Sequence, residues 1–487
     1  MIDIIVFILS FYILLLSVVG YGMFFQRICF RTIKNMNDPE VIYIGFYGLF
    51  AITFISVISS FFVPHNYVHN ILLHIIGVLF FIFIGVANKK NYIKMIFFIS
   101  VAVFSALLIS KTHDDFSYYH LPFTKYLTEQ KVIFGMGILG HGYKLLSSLF
   151  FLNSSFYLPY IEYFSFHFSV LFFLIFFNFF LLKEIFNKGT HLVIKYLYLF
   201  SFIFFNLSFN RLSEFGTDKA GQLLIVILTI KIFQQISYTN NKSKLNNILI
   251  LLPLLGFCIS LKTYFLPYIL IGLTLILMNS KIVQSIKILF SSKPFYFFLI
   301  FLLFYFSHHF ISTGCLISPL SFTCFGDNLY WADGSEQYKS LALWLEQWAK
   351  AGAGPGFVVD NPLIYIQNFN WLSRWFGEYF LGKFGEQLAL LFTVFIITFF
   401  FFKNFGINKE KVLLVNKNIL LFYSIVLIIF FIWFTKHPQL RYGGYAIVFL
   451  TLSIPMAVIF QKVKNRNFHK KFNYIIILLV IFFNFKN

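Results

Sequence analysis

Two adjacent carboxylates, Asp114 and Asp115, stand in the stretch Lys111-Thr-His-Asp-Asp-Phe-Ser-Tyr-Tyr-His120-Leu-Pro122, directly after a strongly apolar run. That position is the mouth of a membrane-crossing helix. An ionised carboxylate costs about 2.5–3.5 kcal/mol at mid-bilayer and less at the interface. Two acids there must be solvated, paired or put to use. Neighbouring like charges also raise the pKa of one member, which suits a general base. The pair is either a solvated helix end or a base in a cavity at the membrane surface. Nearby His113, Tyr118 and His120 could contact a substrate. His113, Asp114, Asp115 and His120 could also hold a divalent metal, but their spacing matches no dedicated metal motif. No other cofactor is implied.

The cations add a second signal. The chain holds six Arg against 32 Lys. Lys, Phe, Ile and Asn all use A/T-rich codons, so codon drift accounts for much of this composition. An Arg kept against that drift invites a reason. Arg441 lies in the short loop Lys436-His-Pro-Gln-Leu-Arg-Tyr442. Its planar, permanently charged fork binds phosphate in bidentate fashion, with Tyr442 beside it; a plain interface anchor is the alternative. Lys262 breaks the apolar stretch 247–280, where it could snorkel or hold an anionic head group. Arg211, Glu214 and Asp218 would share one helical face, as a self-neutralising helix start or as a polar wall of the same cavity. Arg374 is a weaker candidate.

Stepping from these residues to the elements that carry them, composition excludes a soluble enzyme and a disordered tail. Of 487 residues 59% are apolar and 11% charged, against about 25% charged in soluble chains. A bilayer core needs roughly 20 apolar residues per helix. Fourteen runs qualify as candidates: 3–24, 41–62, 69–88, 95–110, 160–182, 192–209, 220–237, 247–261, 264–280, 294–311, 386–402, 418–435, 444–461 and 474–485. The last is short for a span. The expected fold is an all-α polytopic transmembrane bundle of about 12–14 spans, with two sizeable outer loops, 111–159 and 312–385. Its segments are a three-span 1–94, a core 95–461 and a basic 462–487.

Alternate loops carry 23 cations with 4 acids and 13 cations with 14 acids. The positive-inside rule puts the first set in the cytoplasm and the N-terminus outside. The first span is too long for a cleaved signal and lacks its basic start. The net charge of +20 therefore records orientation, and no nucleic-acid partner is expected.

In the first outer loop, Pro122 starts a short helix whose face Phe123, Tyr126 and Leu127 would lie on the membrane. The run Phe134–Tyr143 is a glycine-rich turn, either a plain connection or a flexible substrate-facing one. In the second, Cys315 and Cys324 are the two cysteines on the oxidising side and should form a disulfide. Asp333-Gly-Ser-Glu336 reads as a capping box. Tyr338, Leu341, Ala342, Leu345 and Trp348 then mark an amphipathic helix on the bilayer or roofing a cavity. Gly352, Gly354 and Gly356 form a hinge candidate and no phosphate loop, because no Lys-Ser or Lys-Thr follows.

Together Asp114-Asp115, the helix at 122–131, Gly256-Phe-Cys-Ile-Ser-Leu-Lys262 and the late Pro438…Arg441-Tyr442 loop resemble the GT-C glycosyltransferases, over roughly 95–461. The chain departs from that pattern in having three spans, in 1–94, ahead of the span that leads into the acidic loop, where one span in total is usual. The resemblance implies a polyprenyl-phosphate sugar donor, a glycan, lipid or protein acceptor, and a bacterial inner membrane with the site facing the periplasm. It also implies Asp114 or Asp115 as base, with Arg441 and Lys262 on the phosphate. The chemistry stands by itself: a sugar phosphate leaves as an anion without a general acid, so one base and cations for the leaving group suffice. Two other classes fit the span count. An O-antigen-type polymerase or ligase would depend on Arg374 and the large loop. A lipid or solute transporter would place charges at mid-membrane and show internal repeats.

Overall fold

In lipid a backbone has no water to bond, so it must satisfy its own N–H and C=O groups, and a helix does this within one segment. The computed structural model describes residues 2–30, 41–84, 90–108, 115–209, 216–238, 247–277, 282–352, 359–403, 416–462 and 468–486. Among them it is an all-α bundle with no strands. Among the described residues nine helices are long and apolar enough to cross a membrane, and five shorter apolar helices accompany them. These fall on the fourteen runs read from hydropathy. The run 474–485 lies inside a longer helix, Phe468–Lys486, whose length meets the span requirement.

The helices used below are α1 Ile2–Phe30, α2 Ile44–Ser59, α3 Tyr67–Ile84, α4 Lys90–Ala102, α5 Leu121–Glu129, α6 Ser148–Ser155, α7 Phe168–Phe186, α8 Leu192–Ser208, α9 Asp218–Tyr238 and α10 Leu252–Leu261. After them come α11 Ile269–Leu277, α12 Ile282–Phe290, α13 Lys293–Thr313, α14 Ser335–Lys350, α15 Gly385–Phe402, α16 Lys417–Lys436, α17 Gly444–Phe460 and α18 Phe468–Lys486. The helix α7 is buried on all sides among its neighbours. By contrast Phe83, Phe98, Phe400 and Phe485 are at least two-thirds exposed. So much outward apolar surface is stable only against lipid.

Small residues let α1 lie against α2 and α3. A Cβ on Gly20 would overlap the Gly77 carbonyl oxygen, one on Gly22 that of Ile44, and one on Gly48 that of Val18. Lipid tails supply no hydrophobic drive between helices, so this close backbone packing holds them together. Hydrogen bonds tie these helices to the rest. The fully buried His65 binds Ser154 Oγ (2.7 Å). Asn70 Nδ2 donates to the carbonyls of His65 and Ser154, both at 2.8 Å. Deeper in the bundle Lys231 donates to Glu184 (3.0 Å), the pairing that a buried charge requires.

Two local expectations change. The apolar face of α5 does not lie on lipid: Phe123 and Leu127 are buried, and the Phe123 ring packs on Phe150 at 5.1 Å. α14 is not started by Asp333, which pairs with Lys144; Asp327 Oδ1 accepts the Ser335 N–H instead, at 2.9 Å. The hinge candidates Gly354 and Gly356 lie outside the described residues, while Gly352 has a positive φ of 87°. Cys315 and Cys324 form the expected disulfide.

Candidate active site

Four charged side chains meet at the lysine-poor end of the bundle. Asp115 directly precedes one π-helical turn, Phe116–His120. Asp218 is the first residue of α9, where the unbonded N–H groups of a helix favour an anion. Lys262 caps α10 in an extended conformation, at the break between that helix and the turn Thr263–Tyr268. Arg441 sits on the turn Leu440–Tyr442 between α16 and α17. Its Nε donates to Asp218 Oδ2 (3.1 Å) and its Nη2 to Asp115 Oδ2 (3.0 Å). Lys262 Nζ donates to the other oxygen of Asp218. Asp218 is thus the hub of the cluster, bridging both cations.

The turn that carries Arg441 is held from several elements. Leu440 N–H donates to the Tyr379 hydroxyl (2.8 Å), and its carbonyl accepts from Gln222 on α9 (3.2 Å). Gln439 Nε2 reaches the Ala349 carbonyl of α14 (3.1 Å), and its own carbonyl accepts Trp433 Nε1 of α16 (2.9 Å). Trp375 Nε1 donates to the Pro438 carbonyl (2.7 Å). Gly443 closes the turn at φ 85°, a conformation that glycine adopts without strain. Such support fixes the guanidinium before any ligand arrives. Arg441 also lies over the Trp348 ring (5.5 Å), and Lys262 over the Tyr442 ring (5.1 Å).

Asp115, Lys262, Arg441 and Tyr442 line one cavity of about 100 Å³, together with Tyr119, His141, Trp344 and Trp348. An apolar groove of about 410 Å³ adjoins it and shares Tyr264, Ser318 and Tyr442 with it. The groove runs along α16 past Ile429, Ile432 and Trp433. At the junction the buried Ser318 hydroxyl has no hydrogen-bond partner among the described residues; nor do His437 Nδ1 and the Tyr268 hydroxyl, which also line the groove.

Burial lowers the Lys262 pKa from the usual lysine value, against the opposing pull of Asp218. Burial likewise works against the Arg441 cation, but Asp218 and then Asp115 outweigh it, and the group stays charged. The Tyr442 hydroxyl is pushed up to about 12 by burial, with Arg441 acting the other way. His141 is lowered by burial although Asp115 acts to raise it.

Of the residues singled out in the sequence, Asp115, Lys262, Arg441 and Tyr442 line the cavity, and Asp218 binds two of them. Asp114, His113, Arg211 and Glu214 lie outside the described residues. Tyr118 and His120 do not line it. Tyr118 is half exposed and bonds His141 Nδ1 at 3.2 Å. His120 is buried behind the wall against Phe150, with ring centres 5.5 Å apart. Tyr119, four residues after Asp115 and on the same helical face, lines the cavity beside it. Arg374 is exposed and lines neither the cavity nor the groove. Among the described residues no three His, Cys, Asp or Glu side chains group as metal ligands. His141, within the glycine-rich turn, and Trp348, read as a stripe residue, are lining residues that the sequence reading left unassigned.

A family model described as a domain of unknown function (DUF8201) matches residues 4–449. The chain belongs to the DUF8201 family. No curated protein and no solved structure matches it.

Proposed function

We propose that this DUF8201 chain is a membrane glycosyltransferase. It moves a sugar from a polyprenyl-phosphate donor to an envelope acceptor on the outer face of a bacterial inner membrane. The observation that carries this reading is the junction of a charged cavity holding Asp115, Lys262 and Arg441 with an apolar groove. A lipid phosphate has these two parts, an anion and a long chain. The orphaned Ser318 hydroxyl between them suits a phosphate or sugar oxygen.

The quartet Asp115, Asp218, Lys262 and Arg441 sums to zero charge, so an incoming phosphate must displace a carboxylate to gain a cation. Asp218 holds both cations and stays. Asp115 touches the quartet at 3.0 Å through Arg441 Nη2 and is the group that a phosphate oxygen replaces. Released, Asp115 takes the proton of the acceptor hydroxyl. The acceptor oxygen bonds to the anomeric carbon as the bond from that carbon to the phosphate oxygen breaks. The phosphate departs as an anion against Arg441 and Lys262, and the anomeric centre inverts.

The test uses the full chain in liposomes with a labelled polyprenyl-phosphate sugar and an envelope acceptor fraction. Label should move to the acceptor. Asp115→Asn should cut the rate at least about a hundredfold, the low end for a lost base, while Arg374→Ala leaves it unchanged. A wild-type rate in Asp115→Asn, or no transfer by the native chain, ends this reading.

A further inference from the structure

Another cavity shares no lining residue with the charged cavity or its groove, and nothing in the proposed reaction uses it. It is a slot of about 560 Å³ between α4 and α18, floored by α7 and α8. The two walls meet at one end, where Asn484 Nδ2 donates to the Ala102 carbonyl at 2.9 Å. From there the slot runs toward the lysine-rich end of the bundle. Its body is apolar, walled by Ile99, Leu479 and Phe483. The floor carries Asn178 and Asn206, but their amides bond each other at 2.9 and 2.7 Å and so present little unmet polarity. Its far end is polar and cationic, lined by Asn91, Lys94 and Asn473.

That gradient, an apolar body ending in amides and a cation, has the shape of an amphiphile. Among the described residues lysines dominate the charge around the polar end. Lys183 lies over the Tyr92 ring at 4.1 Å, next to Asn91. Lys188 and Lys195 lie within electrostatic reach of His469, which stacks on the cavity residue Phe186. The adjacent acid, Glu184, is already engaged by Lys231 and Thr190, each at 3.0 Å. The slot is reachable from lipid, because Phe98 in its wall is 69% exposed and Asn91, Lys94 and Asn473 at its polar end are exposed as well. Basic pockets between helices on this side of a membrane attract anionic head groups.

We propose that this slot is a binding site for an anionic glycerophospholipid of the leaflet at the lysine-rich end. One acyl chain lies between α4 and α18, and the phosphate sits at Lys94, Asn91 and Asn473. The site does not depend on the glycosyltransferase reading. Its occupant seals α18 against the bundle where side chains of the two helices leave a gap.

The experiment is native mass spectrometry of the full chain after equilibration with vesicles of phosphatidylglycerol or of phosphatidylcholine. One phosphatidylglycerol per chain should be retained in preference to phosphatidylcholine. Lys94→Glu should lower that preference about tenfold, from the loss and reversal of one surface charge. Ala102→Phe should remove the bound lipid by filling the closed end. Equal retention of the two lipids by the native chain overturns the proposal. So does an adduct that survives Ala102→Phe in folded protein, because it must then lie elsewhere. Should Ala102→Phe fail to fold, Lys94→Glu decides alone; Lys94 is exposed, and an unchanged preference there also overturns the site.

Discussion

Asp218 shows how a single side chain can set the character of a site without being its most visible residue. It accepts from both Lys262 and Arg441, so removing its charge leaves two cations facing each other in a partly buried cluster. Breaking a buried pair costs about 3–5 kcal/mol. These side chains keep 14–28% of their surface, which puts Asp218→Asn near about 3 kcal/mol. Adding Lys262→Met should recover about half of that loss by removing one of the stranded cations. Urea or thermal unfolding in detergent measures both. A cost below about 1 kcal/mol, the ordinary value of a surface pair, would mean that the cluster is solvated and no hub exists. Asp218 was legible in the sequence as part of a polar wall through its spacing from Arg211 and Glu214. Its central role was not, because the partners it holds are 44 and 223 positions away.

At the level of elements, the decisive devices are close helix contacts and irregular turns. The glycine contacts of α1 with α2 and α3 leave no room for a side chain. Because the obstacle is backbone rather than a movable side chain, Gly48→Leu must push α1 and α2 apart, at a cost of about 3 kcal/mol or more. Gly377→Ala, where a Cβ meets nothing within 4 Å, is the matched control and should be neutral. Comparable thermal stability of the two variants would contradict the close packing of α1 on α2. Tyr118 and His120 were named for their chemistry near the acid pair and without regard to helical phase, whereas the i, i+4 spacing puts Tyr119 beside Asp115 in the cavity. The α14 stripe was open to two readings, membrane or roof. Burial of Tyr338 and Leu345 and the presence of Trp348 in the cavity decide for the roof.

Across the whole molecule, buried histidines outside the spans make stability depend on pH. Burial drives His65 from 6.5 to about 3, with neighbouring His69 acting the same way and a hydrogen bond to the Ser56 carbonyl opposing. His437 falls to about 3 for the same first reason, and Lys436 adds to it. Both folded pKa values lie below the unfolded one. The stability is therefore complete above about pH 6.5 and is lost as pH falls from there toward 3, when the unfolded chain takes up protons that the folded chain refuses. Each histidine contributes up to about 1.4 kcal/mol per pH unit in that window. The melting temperature in detergent should drop between pH 7.5 and pH 5, and His65→Gln should drop less. A flat profile in the native chain would show these side chains to be hydrated.

The positions of the apolar helices and the all-α class were settled by the sequence alone. Hydropathy is a local property, bilayer thickness is constant, and lipid leaves a backbone no alternative to bonding itself. The chemical inventory was local as well, since Asp115, Lys262 and Arg441 each sit at a break in an apolar run. Tertiary structure decided that these breaks belong to one site. Asp115 and Arg441 are 326 positions apart, and their meeting depends on the packing of α9, α10, α16 and α17. α9 and α10 are buried almost all round and α17 over more than half of its residues, so their rotations are chosen by their neighbours and not by their own pattern, while α16 keeps a lipid-facing side. That packing placed the apolar groove beside the charges, and the packing of α4, α7, α8 and α18 left the lipid-shaped slot. Neither cavity belongs to any one segment, and no local reading of the sequence could contain them.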